Sequence, residues 1–352
     1  MVRPNVTDVE HKPLAELHLQ ADVPSEKASQ TSAFHNHSGT STMHGHKRRF
    51  SYHLHTIWLL TVNDFISIIA PETAFGVIGA LTGPLFTSNA SPDLLDIFRR
   101  LPQIVFWNWL NCLIFDTANQ RLPNSVLEDS VNKKWRPIPS QRLTPNQARR
   151  LLLAVIPLVF VVTLYLGGME ETAAMVGLTW MYNDLGGADE SYIVRNIINA
   201  CGFMCYSSGA TRVAIGYGEH SLNATFFVWL AIIGAIIFST LQMQDMADQK
   251  GDAARGRGTL PLVHGDGVSR WTIAVPVLGW SFFCAAFWDL PLYQYVIPVV
   301  MGGFLALRVL LLRSVEADKV TWKIWCFWTI SVGVRTYGLA ARSSRLAVEH
   351  LG

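Results

Sequence analysis

QMQDMADQKGDAARGRGTLP, residues Gln242 to Pro261, continues directly from the apolar run SLNATFFVWLAIIGAIIFSTL, Ser221 to Leu241. That run is long enough to cross a bilayer as a helix, so Gln242 and its successors stand at a membrane face. Asp245, Asp248 and Asp252 fall at i, i+3 and i+7. At about 100° per residue they share one stripe of a helix. Stacked like charges repel, and near a membrane they are costly, so positive charge is expected among them. Oxygen ligands in a row suit Mg²⁺, which binds through one or two carboxylates, water and substrate phosphates. Arg255 and Arg257 come next as phosphate donors, then Gly258-Thr259-Leu260-Pro261. A solvated helix end with scattered acids is the blander alternative. The spacing and the membrane context favour half of a metal–diphosphate site.

Outward from this stretch, half of the 352 residues are apolar and only 15% are charged. Mean hydropathy is +0.25, and soluble chains carry nearer a quarter charged residues. The apolar residues gather in repeated runs of spanning length, which predicts an all-α, polytopic membrane protein bound to the lipid bilayer. A net charge of +2 gives no support for a nucleic-acid partner. Cys112, Cys201, Cys205, Cys284 and Cys326 lie in or beside apolar runs without a CxxC pair, and read as small buried hydrophobes.

Residues 1–50 are polar and aperiodic, and read as a disordered cytosolic tail. Six of the eleven histidines fall there, His35, His37, His44 and His46 among them, and a solvated tail is favoured over a metal-binding tract. Nothing near Met1 suggests a signal peptide. Lys47-Arg48-Arg49 precede the first apolar run and hold the amino terminus in the cytosol by the positive-inside rule. Residues 51–345 then form the transmembrane domain.

About nine spans are expected: His55–Phe86, interrupted at Pro71-Glu72, then Leu101–Gln120, Ala148–Leu166 and a short Glu171–Tyr182. Tyr192–Val213, Ser221–Leu241, Trp271–Trp288, Leu292–Leu312 and Thr321–Ala341 complete the set. Lys and Arg concentrate in the connections after spans two, six and eight, which puts the long polar connections on one cytosolic face of an endomembrane such as the endoplasmic reticulum. The acidic connection around Asp184, Asp189 and Glu190 departs from that bias without reversing it.

Span two ends with Asp116 and Asn119 on one helical face, and Asn108 and Asn111 lie further up. Amides in an apolar span need partners and are expected to face the bundle interior, as pocket residues or as interhelical hydrogen bonds. The next connection adds Glu128 and Asp129, then Lys133, Lys134, Arg136 and Arg142 as donors for phosphate oxygens. Arg136-Pro137-Ile138-Pro139 fixes a turn that gives Arg136 a defined direction.

These residues in this order resemble the UbiA superfamily of intramembrane prenyltransferases. The resemblance rests on the acid-bearing end of span two, on N-K-x-x-R-P-I-P-S, and on D-x-x-D-x-x-G-D with G-x-x-T-L-P after span six; it covers about residues 50–345. The second motif is complete, with Asp245, Asp248, Gly251 and Asp252 in place. The first departs from the family pattern, because Asn119 stands where a second aspartate is expected and Glu128-Asp129 come after an apparent insertion. The resemblance implies a nine-helix bundle, Mg²⁺, and an allylic isoprenyl diphosphate held between two polar caps. It implies Asp116, Asn119, Asp129, Asp245, Asp248 and Asp252 as metal residues, with Asp116, Asp245, Asp248 and Arg136 at the reacting centre.

Ionising such a diphosphate leaves a carbocation that needs a dry, aromatic wall. Phe106, Trp107, Trp109, Trp180, Phe203, Tyr206 and Trp229 are the candidates, Phe203 and Tyr206 foremost. The cation can attack its own double bonds, giving a cyclic terpene, or be captured by an acceptor molecule. The variant first motif and the E-D-x-x-N-K-x-W-R-P-I-P-S form look more like the branch that holds membrane terpene cyclases. No obvious cationic cluster would seat an acceptor carboxylate, although Arg195 and Arg212 could serve. A non-catalytic transporter explains the spans but not two acid clusters accompanied by phosphate donors.

Overall fold

A computed structural model describes residues 49–289 and 291–349, with side chains to residue 332. The tail and its histidines fall on residues 1–48 and lie outside the described residues. What is described is helical, apart from one isolated bridge between Thr87 and Leu222. The chain runs α1 (Phe50–Thr61), α2 (Ala70–Leu81), α3 (Leu94–Gln120), α4 (Pro123–Asn132), α5 (Pro145–Leu166), α6 (Met169–Asn183), α7 (Gly187–Glu190) and α8 (Tyr192–Ile215). It continues as α9 (Ala224–Thr240), α10 (Asp245–Arg255), α11 (Leu260–His264), α12 (Asp266–Phe287), α13 (Leu292–Leu311) and α14 (Val315–Glu349).

Local chemistry starts several of these helices, and α3 begins at Leu94, ahead of the expected Leu101. Thr144 and Gln147 form a reciprocal capping box ahead of α5, with Pro145 at the first helical position. Asp93, Ser191 and Asn223 cap α3, α8 and α9 through their side chains. Among the described residues, four helices are long and apolar enough to cross a membrane by length and composition: Pro145–Leu166, Ala224–Arg255, Asp266–Phe287 and Leu292–Leu311. A fifth candidate is the bent pair Phe50–Thr61 and Phe65–Leu81. α3 and α8 are long enough but carry Asn108, Asn111 and Asp116, or Arg195 and Arg212, along their length. α6 has 15 residues, about 22 Å at 1.5 Å per residue.

The bent α1–α2 pair corrects the expected interruption at Pro71-Glu72. Pro71 lies at the start of α2, where its missing N–H is tolerated. The break comes earlier, at Val62–Asp64, with a π-helical turn at Phe65–Ile69 and a bend of 58°. Asn63 and Asp64 thereby border a polar cavity. The long connection after α3 is also not plain loop, since it contains α4, which lies against α10.

Close approach is built from small residues. A Cβ on Gly209 of α8 would come 1.9 Å from the ring of Trp107 on α3. Trp107 is wholly buried there, so α3 and α8 meet with the indole filling the notch. Gly251 of α10 does the same against α4, where a Cβ would lie 2.1 Å from Asn132 Nδ2.

Candidate active site

The 3-10 turn Leu241–Gln244 hands α9 over to α10, and α10 presents its acids inward. Asp245, Asp248 and Asp252 line one cavity of about 120 Å³, as their shared stripe predicts. The positive charge expected among them is present as side chains. Arg195 Nη1 donates to Asp245 Oδ2 at 2.8 Å and Arg257 Nη1 to Asp252 Oδ1 at 3.0 Å. Lys133 Nζ donates to Asp248 Oδ2 at 3.1 Å. Arg195 also donates through Nε to the Tyr182 hydroxyl at 3.3 Å.

Asp116 and Asn119 face the same cavity from α3. Asn119 donates to Asn183 Oδ1 at 3.0 Å. The partner of Asp116 is a residue that motif spacing did not single out. Asp64, from the break after α1, brings a carboxylate oxygen within 4.8 Å of ligand atoms of Asp116 and Cys112. Cys112 donates to Asp116 Oδ2 at 3.2 Å. A second acid thus reaches Asp116 from a different part of the chain, the break after α1. The signal was present: an Asn-Asp pair inside an apolar run is expensive in a membrane and points to a function.

The connection after α3 divides its work. Arg136 lines the cavity, and Asp129 stands behind it, accepting from Nη1 at 2.9 and 3.1 Å. Asp129 was expected among metal residues; it is buried against Arg136 and is not on the cavity wall, where Glu128 stands instead. Burial pushes the Asp129 carboxyl up from its ordinary value, with Arg136 and Lys133 acting against it. The buried Nε of Arg136 has no hydrogen-bond partner, so part of its fork is uncommitted.

The other expected phosphate donors separate. Lys133 and Arg257 line the cavity, whereas Lys134 is exposed. Arg142 is turned toward α1, its guanidinium 4.2 Å from the Tyr52 ring centre and Nη2 3.3 Å from Thr56 Oγ1. Arg255 is a clasp off the cavity wall. It donates to both oxygens of Asp189, at 2.9 and 2.8 Å, and to Ser125 and Glu128 at 2.8 and 3.1 Å. Burial works to raise the Asp189 carboxyl, but Arg255 and then Arg257 outweigh it and hold it below the usual carboxylate range. Asn108 and Asn111, expected in the pocket, are committed elsewhere: Asn108 donates across to Thr73 of α2 at 3.0 Å, and Asn111 donates back to the Trp107 carbonyl of its own helix at 3.0 Å.

Phe203 is where the polar cavity meets two apolar ones, because its ring borders all three. One apolar chamber is walled by Phe75, Phe86, Ile233 and Trp229, the other by Met175, Leu178, Ile198 and Tyr206. Neither has a Lys or Arg on its wall among the described residues. Of the other aromatic candidates, Phe106 and Trp180 are exposed and Trp107 is packing.

The donor set fits Mg²⁺. Asp252 Oδ2 is buried with no hydrogen-bond partner, and Asp64, Asp116, Asp245 and Asp248 bring further carboxylates to the same cavity. These are hard oxygen ligands; the thiol of Cys112 is the soft exception. The arrangement can hold a polyanion between two acid clusters and four cationic side chains, with a greasy extension below.

The family model described as the UbiA prenyltransferase family matches residues 76–329. The fumagillin beta-trans-bergamotene synthase of Aspergillus fumigatus is 31% identical over 68% of this chain and 76% of its own length. A diterpene cyclase of Hericium erinaceus is 27% identical over 70% of this chain and 79% of its own. A polyprenyl transferase of the same fungus is 29% identical over 78% and 93%. Among solved structures, a UbiA homolog from Archaeoglobus fulgidus bound to GPP and Mg²⁺ matches with a TM-score of 0.52 and 12% identity, over 80% of this chain and 99% of that one. At that identity the likeness speaks for the fold.

Proposed function

The chain belongs to the UbiA prenyltransferase family, and from that premise we propose that it is a Mg²⁺-dependent terpene cyclase of the membrane, ionising an allylic isoprenyl diphosphate such as farnesyl or geranylgeranyl diphosphate. The observation that carries this reading is the junction at Phe203. A carboxylate- and guanidinium-lined cavity there adjoins aromatic chambers with no cation on their walls among the described residues, Phe203 bordering all three.

Asp245, Asp248 and Asp252 with Asp64 and Asp116 would hold the metal. Bound Mg²⁺ supplies Lewis acidity that neutralises charge developing on the leaving diphosphate. Arg136, aimed by Asp129, offers its fork to phosphate oxygens, and Lys133, Arg195 and Arg257 add donors fixed before the C–O bond opens. As the bond breaks, Phe203 and Trp229 present ring faces to the prenyl cation, each contributing about 0.5–2 kcal/mol. Below the cap the chambers exclude water, so the cation's own double bonds are its nearest nucleophiles.

In this reading residues 51–345 form the catalytic domain. The bent α1–α2 pair, α3, α5, α6, α8, α9–α10, α12, α13 and α14 make nine crossings. The amino terminus and the polar cap face the cytosol of an endomembrane such as the endoplasmic reticulum, in keeping with the basic connections. The second reading, transfer onto an aromatic or other small acceptor, draws support from the similarity to a polyprenyl transferase. The experiment that separates them is incubation of the membrane-embedded protein with Mg²⁺ and dimethylallyl, geranyl, farnesyl or geranylgeranyl diphosphate, without acceptor. Cyclic hydrocarbon with pyrophosphate release is expected. Release of neither, with prenylation of an added phenolic acid, would transfer the chain to the second reading.

A further inference from the structure

One acid in the bundle has no part in the polar cap. Glu72, on α2, lies 6% exposed on the wall of the aromatic chamber, beside Phe75, Phe203 and Trp229. Ser207 of α8 donates a short hydrogen bond to its Oε2. Among the described residues this is its one hydrogen bond, and no cation pairs with it. Such isolation is expensive, since buried carboxylates ordinarily have counter-charges or several donors. A carboxyl group without a counter-charge, in a chamber that receives a carbocation, has an evident use in its ionised form.

We propose that Glu72, steadied by Ser207, is the base that ends the cyclisation, a role that rests on the cyclase reading. A C–H bond next to the cationic carbon breaks, and its electron pair becomes the new C=C bond. The proton goes to the free Oε1 of Glu72, the hydrogen-bonded Oε2 being the oxygen held by Ser207. The olefin leaves, and the carboxylic acid returns its proton to water at the polar cavity. Ser67 borders both that cavity and the aromatic chamber, and so marks the way out.

The test measures pyrophosphate and hydrocarbon in the same reaction, with full-length protein in membranes, farnesyl or geranylgeranyl diphosphate and Mg²⁺. Glu72→Gln is expected to keep pyrophosphate release within about threefold of wild type while cutting the share of the wild-type olefin roughly tenfold or more. Alcohols or isomeric olefins should replace it, and Glu72→Asp should recover more of the original product than Gln does. An unchanged product mixture in Glu72→Gln overturns this proposal alone. So does an equal fall in pyrophosphate release, which would put Glu72 in the ionisation step. If Glu72→Gln fails to accumulate in membranes, Ser207→Ala decides: a smaller shift in products at retained release supports the role, and no shift overturns it. A wild-type protein that prenylates an acceptor and makes no olefin overturns the cyclase reading and this proposal together.

Discussion

Nη1 of Arg136 donates to both carboxylate oxygens of Asp129, at 2.9 and 3.1 Å, seven residues earlier and just ahead of the turn locked by Pro137 and Pro139. The pair is buried, so Asp129 fixes where the remainder of the guanidinium points. Asp129→Asn is therefore expected to lower pyrophosphate release about tenfold, and Arg136→Ala roughly a hundredfold. Arg136→Lys should fall between Ala and wild type, because an ammonium cannot reproduce a planar fork. Unchanged initial rates in Arg136→Ala would remove it from diphosphate binding.

Asp64 stands where the sequence offered Asn119. Asp64→Asn and Asp116→Asn should each cost about a hundredfold or more in turnover, as should Asp245→Ala, Asp248→Ala and Asp252→Ala. All five variants should still insert. Asn119→Asp should hold or lower the Mg²⁺ concentration needed for half-maximal rate, since a carboxylate binds that ion more strongly than an amide. Titrating Mg²⁺ against the rate for each variant checks the ligand set, and full activity in Asp64→Asn would strike it from the list.

Gly251 and Asn132 compete for one space. Gly251→Ala should lower thermal stability by about 1–3 kcal/mol through overpacking and reduce activity by parting α10 from α4. Asn132→Ala in the same chain should restore part of the loss. A double-mutant cycle on melting temperature reads the coupling, and simple additivity would mean that the two residues do not crowd each other.

Phe203 and Trp107 separate wall from packing. Phe203→Ala should alter the product mixture more than the rate of pyrophosphate release, since it borders the cation's chambers. Trp107→Ala should lower stability by about 3–5 kcal/mol, as large-to-small changes in cores do. Product profile beside melting temperature distinguishes the two, and a Phe203 variant with wild-type products would deny it a steering role.

Asp189 gives a pH dependence. Its folded carboxyl is held below the usual range by Arg255 and Arg257 against the effect of burial. The stability it contributes is thus fully present above the unfolded value, near ~3.9, and fades as pH falls through the lower folded value. Asp189→Asn should melt below wild type at neutral pH, and the gap should close in strong acid. A gap that widens with acid would contradict the sign.

What the sequence disclosed is what is local. The stripe Asp245, Asp248 and Asp252 comes from helical spacing alone, and all three reach the cavity. Spacing has no means of saying which of two neighbouring acids faces inward, and so Asp129 and Glu128 exchanged their expected places. Asp64 joins Asp116 because the bent α1–α2 pair breaks at Val62–Asp64, which motif spacing does not report. Arg142 and Arg255 have the charge of phosphate donors, but partners far along the chain, Thr56 and Asp189, claim them.

The ring of Phe203 has an evolutionary consequence. Residues on one side of it answer to the chemistry of a phosphate ester, which is shared by every isoprenoid precursor. Those on the other side answer to the shape of a hydrocarbon, which differs with each product. On the proposed reading, descendants of such a protein could drift in Phe75, Ile233 or Trp229 and make a different product without relearning how to open the first bond.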